Sequence, residues 1–204
     1  VLELVNSKLP VVTIDHVFNN RAAVVSDNVR GMEELVRYVY AKGHRRIAFI
    51  HGEQTAVTEN RLTGFYRACD ALELEIPDEY IREGVYHDPD RCAELTRELL
   101  RLPEPPTCIL MPDDFSSIGG RNAIHRMDLR LPEDISVAGY DGIQIASVMS
   151  PALTTYRQDT QALGRTAAAK LIELIEKPRT ALVDRVLIPG HLVEGASVRA
   201  IETL

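Results

Sequence analysis

No stretch of this 204-residue sequence comes near the roughly 18 consecutive apolar residues that a membrane-spanning helix needs; runs such as Ile47 to Ile50 and Ile109 to Met111 are short. Basic charge is scarce too. The 23 Lys and Arg residues are outnumbered by 30 Asp and Glu, for a net charge of −7, which is the wrong sign for a surface that grips a phosphate backbone. If the protein works on DNA, these residues touch little of it. The three cysteines, Cys69, Cys92 and Cys108, are odd in number, form no C-x-x-C pair and each fall within an apolar pattern, so they read as small buried hydrophobes of a reducing compartment. The six histidines show no H-x-x-x-H or other ligand spacing, so no metal is expected. His44, just after Gly43, is given a role at a helix end. There is no G-x-S-x-G, no glycine-rich phosphate loop and no Ser/His/Asp grouping, so an enzyme would lack its nucleophile, and no cofactor is implied. The opening VLELVNSKLP has no charged start followed by a long apolar core and is not a signal peptide. It reads as the last turns of a helix, with Val1, Leu2 and Val5 on one side, and suggests that upstream residues are absent.

Hydrophobic residues make up 45% of the chain, the share of a packed globular protein. Met32, Leu35, Val36 and Val39 recur at helical spacing, and Gly43 closes that helix before the strand RRIAFI. Arg61 to Leu72 reads as the next helix and YIREGVY as a short strand. Asp88 then stands as N-cap with Pro89 at the first helical position and Cys92, Leu95, Leu99 and Leu102 as the buried stripe. TCILM and ISVAGY read as strands flanking a helix from Phe115 to Met127. Strand alternating with helix argues an α/β fold with a parallel, doubly wound sheet, its strands expected near 46–50, 81–85, 107–111 and 135–140. Beyond Pro151 come a short strand LTTYRQ, a helix from about Thr160 that presents Leu163, Ala167, Leu171 and Leu174, and two strands, VDRVLI and HLVEG. Pro189 and Gly190 between these last two suit an irregular connection as well as a hairpin. Residues 26–151 make one nearly complete lobe. Residues 1–25 and 152–204 supply pieces of another, with one central-type strand, one long helix and a terminal strand pair.

Three acidic sites lie where β-branched and apolar runs stop: Asp15 after VVTI, Asp113 and Asp114 after CILMP, and Asp141 after ISVAGY. In open parallel sheets ligands bind beyond the carboxyl ends of the strands, so function is expected there. Arg61, placed in the first turn of its helix, opposes the macrodipole at a cost of about 0.3–1 kcal/mol. That placement makes sense if its planar fork holds a carboxylate or two vicinal hydroxyls; a solvated surface arginine is the plainer reading. Asp113-Asp114 admits three readings, a pair complementing a helix dipole, a ligand clamp, or a phosphoacceptor or catalytic carboxylate pair. Asp141, before Gly142, divides between turn capping and ligand contact. Tyr86 is a stacking face for a sugar ring or a partly buried core residue. Gly119-Gly120 lies inside a helix and points to close helix packing rather than to a phosphate cradle.

The segments LPVVTID, GHRRIAFIHG, NRLTGFYRA, TCILMPDDFSSIGG, LPEDISVAGYDG and SPALTTYRQD, in this order, resemble the effector-binding domain of the LacI/GalR family of bacterial transcriptional regulators over nearly the whole chain. The resemblance implies a periplasmic-binding-protein-like fold of two Rossmann-like lobes with parallel sheets, the first lobe incomplete, and a sugar, nucleobase or other small effector bound between them. Carried over, Arg61 matches the family's ligand-clamping arginine and Asp141 its ligand-binding aspartate. Asp113 stands where asparagine is common, Tyr86 at an often aromatic position, and Asp15 at a first-lobe strand end near the pocket. Operator DNA would be read by a helix-turn-helix domain absent from this chain. A cytoplasmic homodimer follows, with Ile143, Ile145, Val148 and Met149, more apolar than a solvated loop needs, in the subunit contact. A periplasmic sugar-binding protein of a transport system is the alternative. A hydrolase built on Asp113-Asp114 lacks every accompanying group.

Overall fold

The computed structural model describes residues 9–18, 21–178 and 180–201, together with Glu3 and Ser7; the helix end expected in VLELVNSKLP lies largely outside them. In chain order the elements are β1 (Val12–Ile14), β2 (Ala22–Ser26), α1 (Asn28–Ala41), β3 (Ile47–His51), α2 (Ala56–Ala71), β4 (Ile81–Glu83), α3 (Pro89–Leu100), β5 (Cys108–Leu110), α4 (Ser117–Arg126), β6 (Ser136–Asp141), α5 (Gln144–Val148), β7 (Thr154–Arg157), α6 (Thr160–Glu176), β8 (Arg185–Ile188) and β9 (His191–Val193). They divide into two units, one of residues up to Asp27 with Gln158–Gly190, the other of Asn28–Arg157 with the residues from His191 on.

The second unit is built on a six-stranded sheet of order β4-β3-β5-β6-β7-β9. The four strands anticipated from the sequence, β3 to β6, are parallel, as is β7 beside β6, and only β9 runs antiparallel. Side chains alternate across a strand, and here each face has its own cover. Ile47, Phe49, Cys108, Leu110 and Tyr140 pack with Met32, Leu35 and Val36 of α1 and Phe65 and Ala68 of α2. Ala48, Ile50, Ile109 and Val137, one step out of phase, pack with Cys92, Leu95 and Leu99 of α3 and Ile124 of α4. Cover on both faces is why these strands read as unbroken apolar runs. Asp88 caps α3 by accepting from the Arg91 N–H, with Pro89 next, as expected. Gly119 lets α4 approach α3, since a Cβ there would lie 1.6 Å from the Pro89 carbonyl oxygen. The three cysteines are buried and free.

The first unit holds a three-stranded parallel sheet, β1-β2-β8, with Leu163 and Ala167 of α6 packed on Val24. Two expectations change here. The sequence pattern yields one strand before Asp27, but the fully buried Ala22–Ser26 forms a second, central one. The expected terminal strand pair is not a pair. β8 joins β2, whereas β9 joins β7 across Thr155–Val193 and Tyr156–Leu192, so 152–157 and the chain from His191 on belong to the second unit rather than to the first. Pro189-Gly190 carries the chain from one sheet to the other.

Candidate functional site

At the carboxyl ends of β5 and β6 the second unit gathers most of the charged residues singled out in the sequence. Arg61 is not in the first turn of its helix: α2 starts at Ala56, with Thr55 accepting the Thr58 N–H as N-cap, so Arg61 stands in the second turn. Its side chain runs inward and is only 3% exposed. The guanidinium donates to Asn28 Oδ1 (Nε, 3.0 Å), to the Pro112 carbonyl (Nη1, 2.8 Å) and to Asp141 Oδ1 (Nη2, 3.1 Å), with its carbon 3.7 Å from the centre of the Tyr140 ring and 5.4 Å from that of Tyr86. A buried cation is tolerated when it is paired and hydrogen-bonded in this way.

Asp141 ends β6 at φ 101, a conformation L side chains rarely adopt, and Gly142 follows at φ 69. This turn aims the Asp141 carboxylate at α2. Tyr86 lies beyond β4, which stops at Glu83 rather than running on to it. Its hydroxyl is 2.9 Å from Thr58 Oγ1, its backbone N–H donates to Glu53 Oε2, and its ring fills the space left by Gly52. Arg61, Asp141 and Tyr86 are thus brought together, with Asn28 and Tyr140, which the sequence reading did not single out; the SDN string after a β-branched run was the available signal for Asn28.

The paired aspartates separate by role. Asp113, fully buried, accepts from the Ser116 N–H (2.7 Å), the Ser116 hydroxyl (2.8 Å) and the His87 N–H (2.9 Å), so its carboxylate serves the start of α4. Asp114, also fully buried, accepts from the Thr155 hydroxyl (2.6 Å) and the Ile143 N–H (2.9 Å). Burial is the main cause that pushes its carboxyl up to about 7. The first unit's Asp15, at φ 52, accepts from the Ser26 N–H (2.6 Å) and Ser26 hydroxyl (3.3 Å). His44 does not act at the helix end alone: fully buried, it spans Thr107 Oγ1 (2.9 Å) and the Arg199 carbonyl (3.1 Å). Of the expected contact residues, Ile143 is 40% and Val148 73% exposed, while Ile145 is half-buried and Met149 packs partly on the core beside the buried Ala146.

A family profile described as a periplasmic binding protein-like domain matches residues 36–198, four-fifths of the chain. The chain belongs to that family. The resemblance to LacI/GalR regulators agrees with what this periplasmic binding protein-like domain is similar to. It is 32% identical over 182 residues to the HTH-type transcriptional repressor PurR of Escherichia coli, a match covering 87% of this chain and 53% of the repressor. It thus spans about half the length of that relative. Among solved structures, a LacI transcriptional regulator from a Rhodococcus species superposes with a TM-score of 0.86 at 25% identity, covering 98% of this chain and 73% of that one. A complex of the transcriptional regulator CelR with cellobiose superposes at 0.83 with 28% identity, covering 91% and 58%. No helix among the described residues is long and apolar enough to cross a membrane.

Proposed function

We propose that this domain is the sensing part of a LacI-type transcription regulator, in which a small polyhydroxylated effector, a sugar first of all, is held by Arg61 and Asp141 and alters operator binding by a DNA-reading domain elsewhere in the protein. The observation that carries this is the buried Arg61–Asp141 pair at the strand ends, flanked by Tyr86 and Tyr140. A guanidinium has five N–H donors, two more than its bonds to Asn28, Pro112 and Asp141 use, and an adjacent carboxylate accepts; together they suit vicinal hydroxyls, with an aromatic ring as the face on which a sugar stacks. The structural neighbour CelR, solved as a complex with cellobiose, supports the ligand class. Asp113 acts behind the site, through Ser116 and His87, and Asp15 holds a strand end of the first unit.

Regulation requires that the effector bind one conformational state of the protein better than another, since only that difference shifts the equilibrium. Chemistry plays no part in this reading: the domain binds and does not turn over its ligand. The regulator works in the cytoplasm as a homodimer, with the exposed Ile143 and Val148 of the α5 region in the subunit contact and Ile145 and Met149 behind them. A thermal-shift screen of sugars and purines tests the reading, because a ligand at 100 times its Kd adds about 2.7 kcal/mol. A sugar is expected to raise the Tm of the wild type and not of Asp141→Ala. A panel in which purines alone do so would reject the ligand class, and a shift equal in both proteins would place the pocket elsewhere.

A further inference from the structure

Asp114 lies outside the Arg61–Asp141 clamp, yet donors face both oxygens of its buried carboxyl group. Its Oδ1 takes the Thr155 hydroxyl at 2.6 Å and its Oδ2 the Ile143 N–H at 2.9 Å, and the Gly142 N–H also stabilises its ionised form. Room for it is made by Gly139, where a Cβ would come within 2.3 Å of Oδ1. These donors belong to β7 and to the turn that follows Asp141. That turn starts from a residue at φ 101, and a non-glycine residue in such a region is strained and persists only where its surroundings over-determine it.

We propose that Asp114 is the positioning residue of the effector clamp: its carboxylate fastens the Asp141–Gly142–Ile143 turn to β7, and so sets both the direction of Asp141 and the start of α5. This rests on the reading of Arg61 and Asp141 as the clamp, and adds a group that touches no ligand but ties the clamp to the segment of the proposed subunit contact.

The arrangement makes the turn responsive to protons. The charged groups around Asp114 are Asp141 from β6, Arg157 from β7, whose Nε donates to the Gly142 carbonyl at 3.0 Å, Arg61 from α2 on the far side of Asp141, and the preceding Asp113 with its partners Ser116 and His87. Burial and the charge of Asp141 oppose ionisation while the donors favour it, leaving the carboxyl at about 7. An ionised carboxylate accepts from both donors with full charge assistance; a protonated one donates its hydrogen to the rotatable Thr155 hydroxyl and accepts from the Ile143 N–H as a neutral group. Above that pH the turn is held by charge-assisted bonds, and below it the hold on the turn that carries Asp141 is weaker.

Carbon-13 and nitrogen-15 NMR of the 204-residue chain, with no effector present, tests this. The Asp114 carboxyl carbon is expected to titrate near 7, the Gly142 and Ile143 amides and the Asp141 carboxyl carbon to follow with the same midpoint, and amide protection of Ile143, corrected for intrinsic exchange, to fall about tenfold on the acid side, the loss of charge assistance in one hydrogen bond. Thr155→Val, which keeps Asp114 and removes one donor to its ionised form, should move the midpoint upward, and Asp114→Asn should abolish the shared titration. A midpoint in the ordinary carboxylate range, or amides and an Asp141 carbon that stay flat while Asp114 titrates, as a merely structural carboxylate would leave them, overturns the proposal. Neither outcome bears on whether a sugar binds, so the failure of one reading is distinguishable from that of the other.

Discussion

Asp15 in the first unit and Asp141 in the second both end a strand in a positive-φ conformation, yet they face different surroundings. Asp15 is half-buried and bonds locally to Ser26, in a unit whose one long helix leaves Ile172 and Ile175 more than half exposed. Asp141 meets an arginine that is 3% exposed, beneath a sheet covered on both faces. A cation can be held out of water only where surrounding elements supply partners, and here Asn28 of α1, the Pro112 carbonyl beyond β5 and Asp141 of β6 each take one bond from the guanidinium. Layered cover, more than the acidic residue itself, separates a strand-end turn from a buried ion pair.

The largest test of this contrast is in the cores. Phe65→Ala, at a fully buried position between α2 and β3, is expected to cost about 3–5 kcal/mol, against less than about 0.5 kcal/mol for Ile172→Ala on the 54% exposed face of α6. Denaturant titration giving equal losses would break the comparison. Arg61→Ala comes next. It removes the guanidinium's bonds to Asp141, Asn28 Oδ1 and the Pro112 carbonyl, and removing one partner of a largely buried ion pair costs about 3–5 kcal/mol. Stability should fall along with effector binding, although placement at a helix start alone predicts little loss of fold; thermal unfolding of the unliganded variant measures this.

Two glycines sharpen the comparison at smaller scale. Gly119→Ala drives a methyl into the Pro89 carbonyl and should cost about 1–3 kcal/mol by forcing α3 and α4 apart. Gly164→Ala on α6 meets nothing within 4 Å and should stabilise by about 0.5–1 kcal/mol. Opposite signs of the shift in denaturation midpoint are the expected result.

The last test uses pH. Burial lowers His44 from 6.5 to about 4 and raises Asp114 from 3.8 to about 7. As pH falls from about 6.5 towards 4, the unfolded chain takes a proton on His44 that the native state refuses, and stability is lost. For Asp114 the native state keeps a proton that the unfolded chain releases near 4, so stability is lost as pH rises from there to about 7. The two slopes, each about 1.4 kcal/mol per pH unit, oppose each other over most of this range. Relative to wild type, His44→Gln should lose stability with rising pH between 4 and 6.5, and Asp114→Asn should gain it. Matching slopes in both variants would refute the assignment.

Much of this was legible from local pattern. The Asp88-Pro89 start of α3, the glycine close of α1 and the apolar runs of β3, β5 and β6 follow from capping chemistry and from cover on both sheet faces, which leave marks at fixed spacings. β2, as long as β3, escaped because only Asp27 separates Ala22–Ser26 from the helix that follows. Arg61 was placed at a helix start because Thr55 was not recognised as the cap, which moved the boundary by more than a turn. Within the candidate site, the order of residues pointed to Arg61, Asp141 and Tyr86, while the SDN string that marks Asn28 went unread and Tyr140 gave no signal of its own.

The sequence by itself determined the alternation of strand and helix, the depth of burial of the central strands, and which charged residues stand at strand ends, because each depends on neighbours within a few positions. Only the tertiary structure decided that His191–Val193 pairs with β7 and not with β8, that Asp113 turns into a helix start while the adjacent Asp114 fastens the turn after Asp141, and that Arg61 lies buried between Asn28, Pro112 and Asp141. The strand pairing is a choice between two sheets, and the partners of Asp114 and Arg61 lie 29 to 80 positions away along the chain; Asp113 bonds Ser116 only three positions on, but its third donor, the His87 N–H, lies 26 away. All are settled by which buried donors and acceptors must find one another.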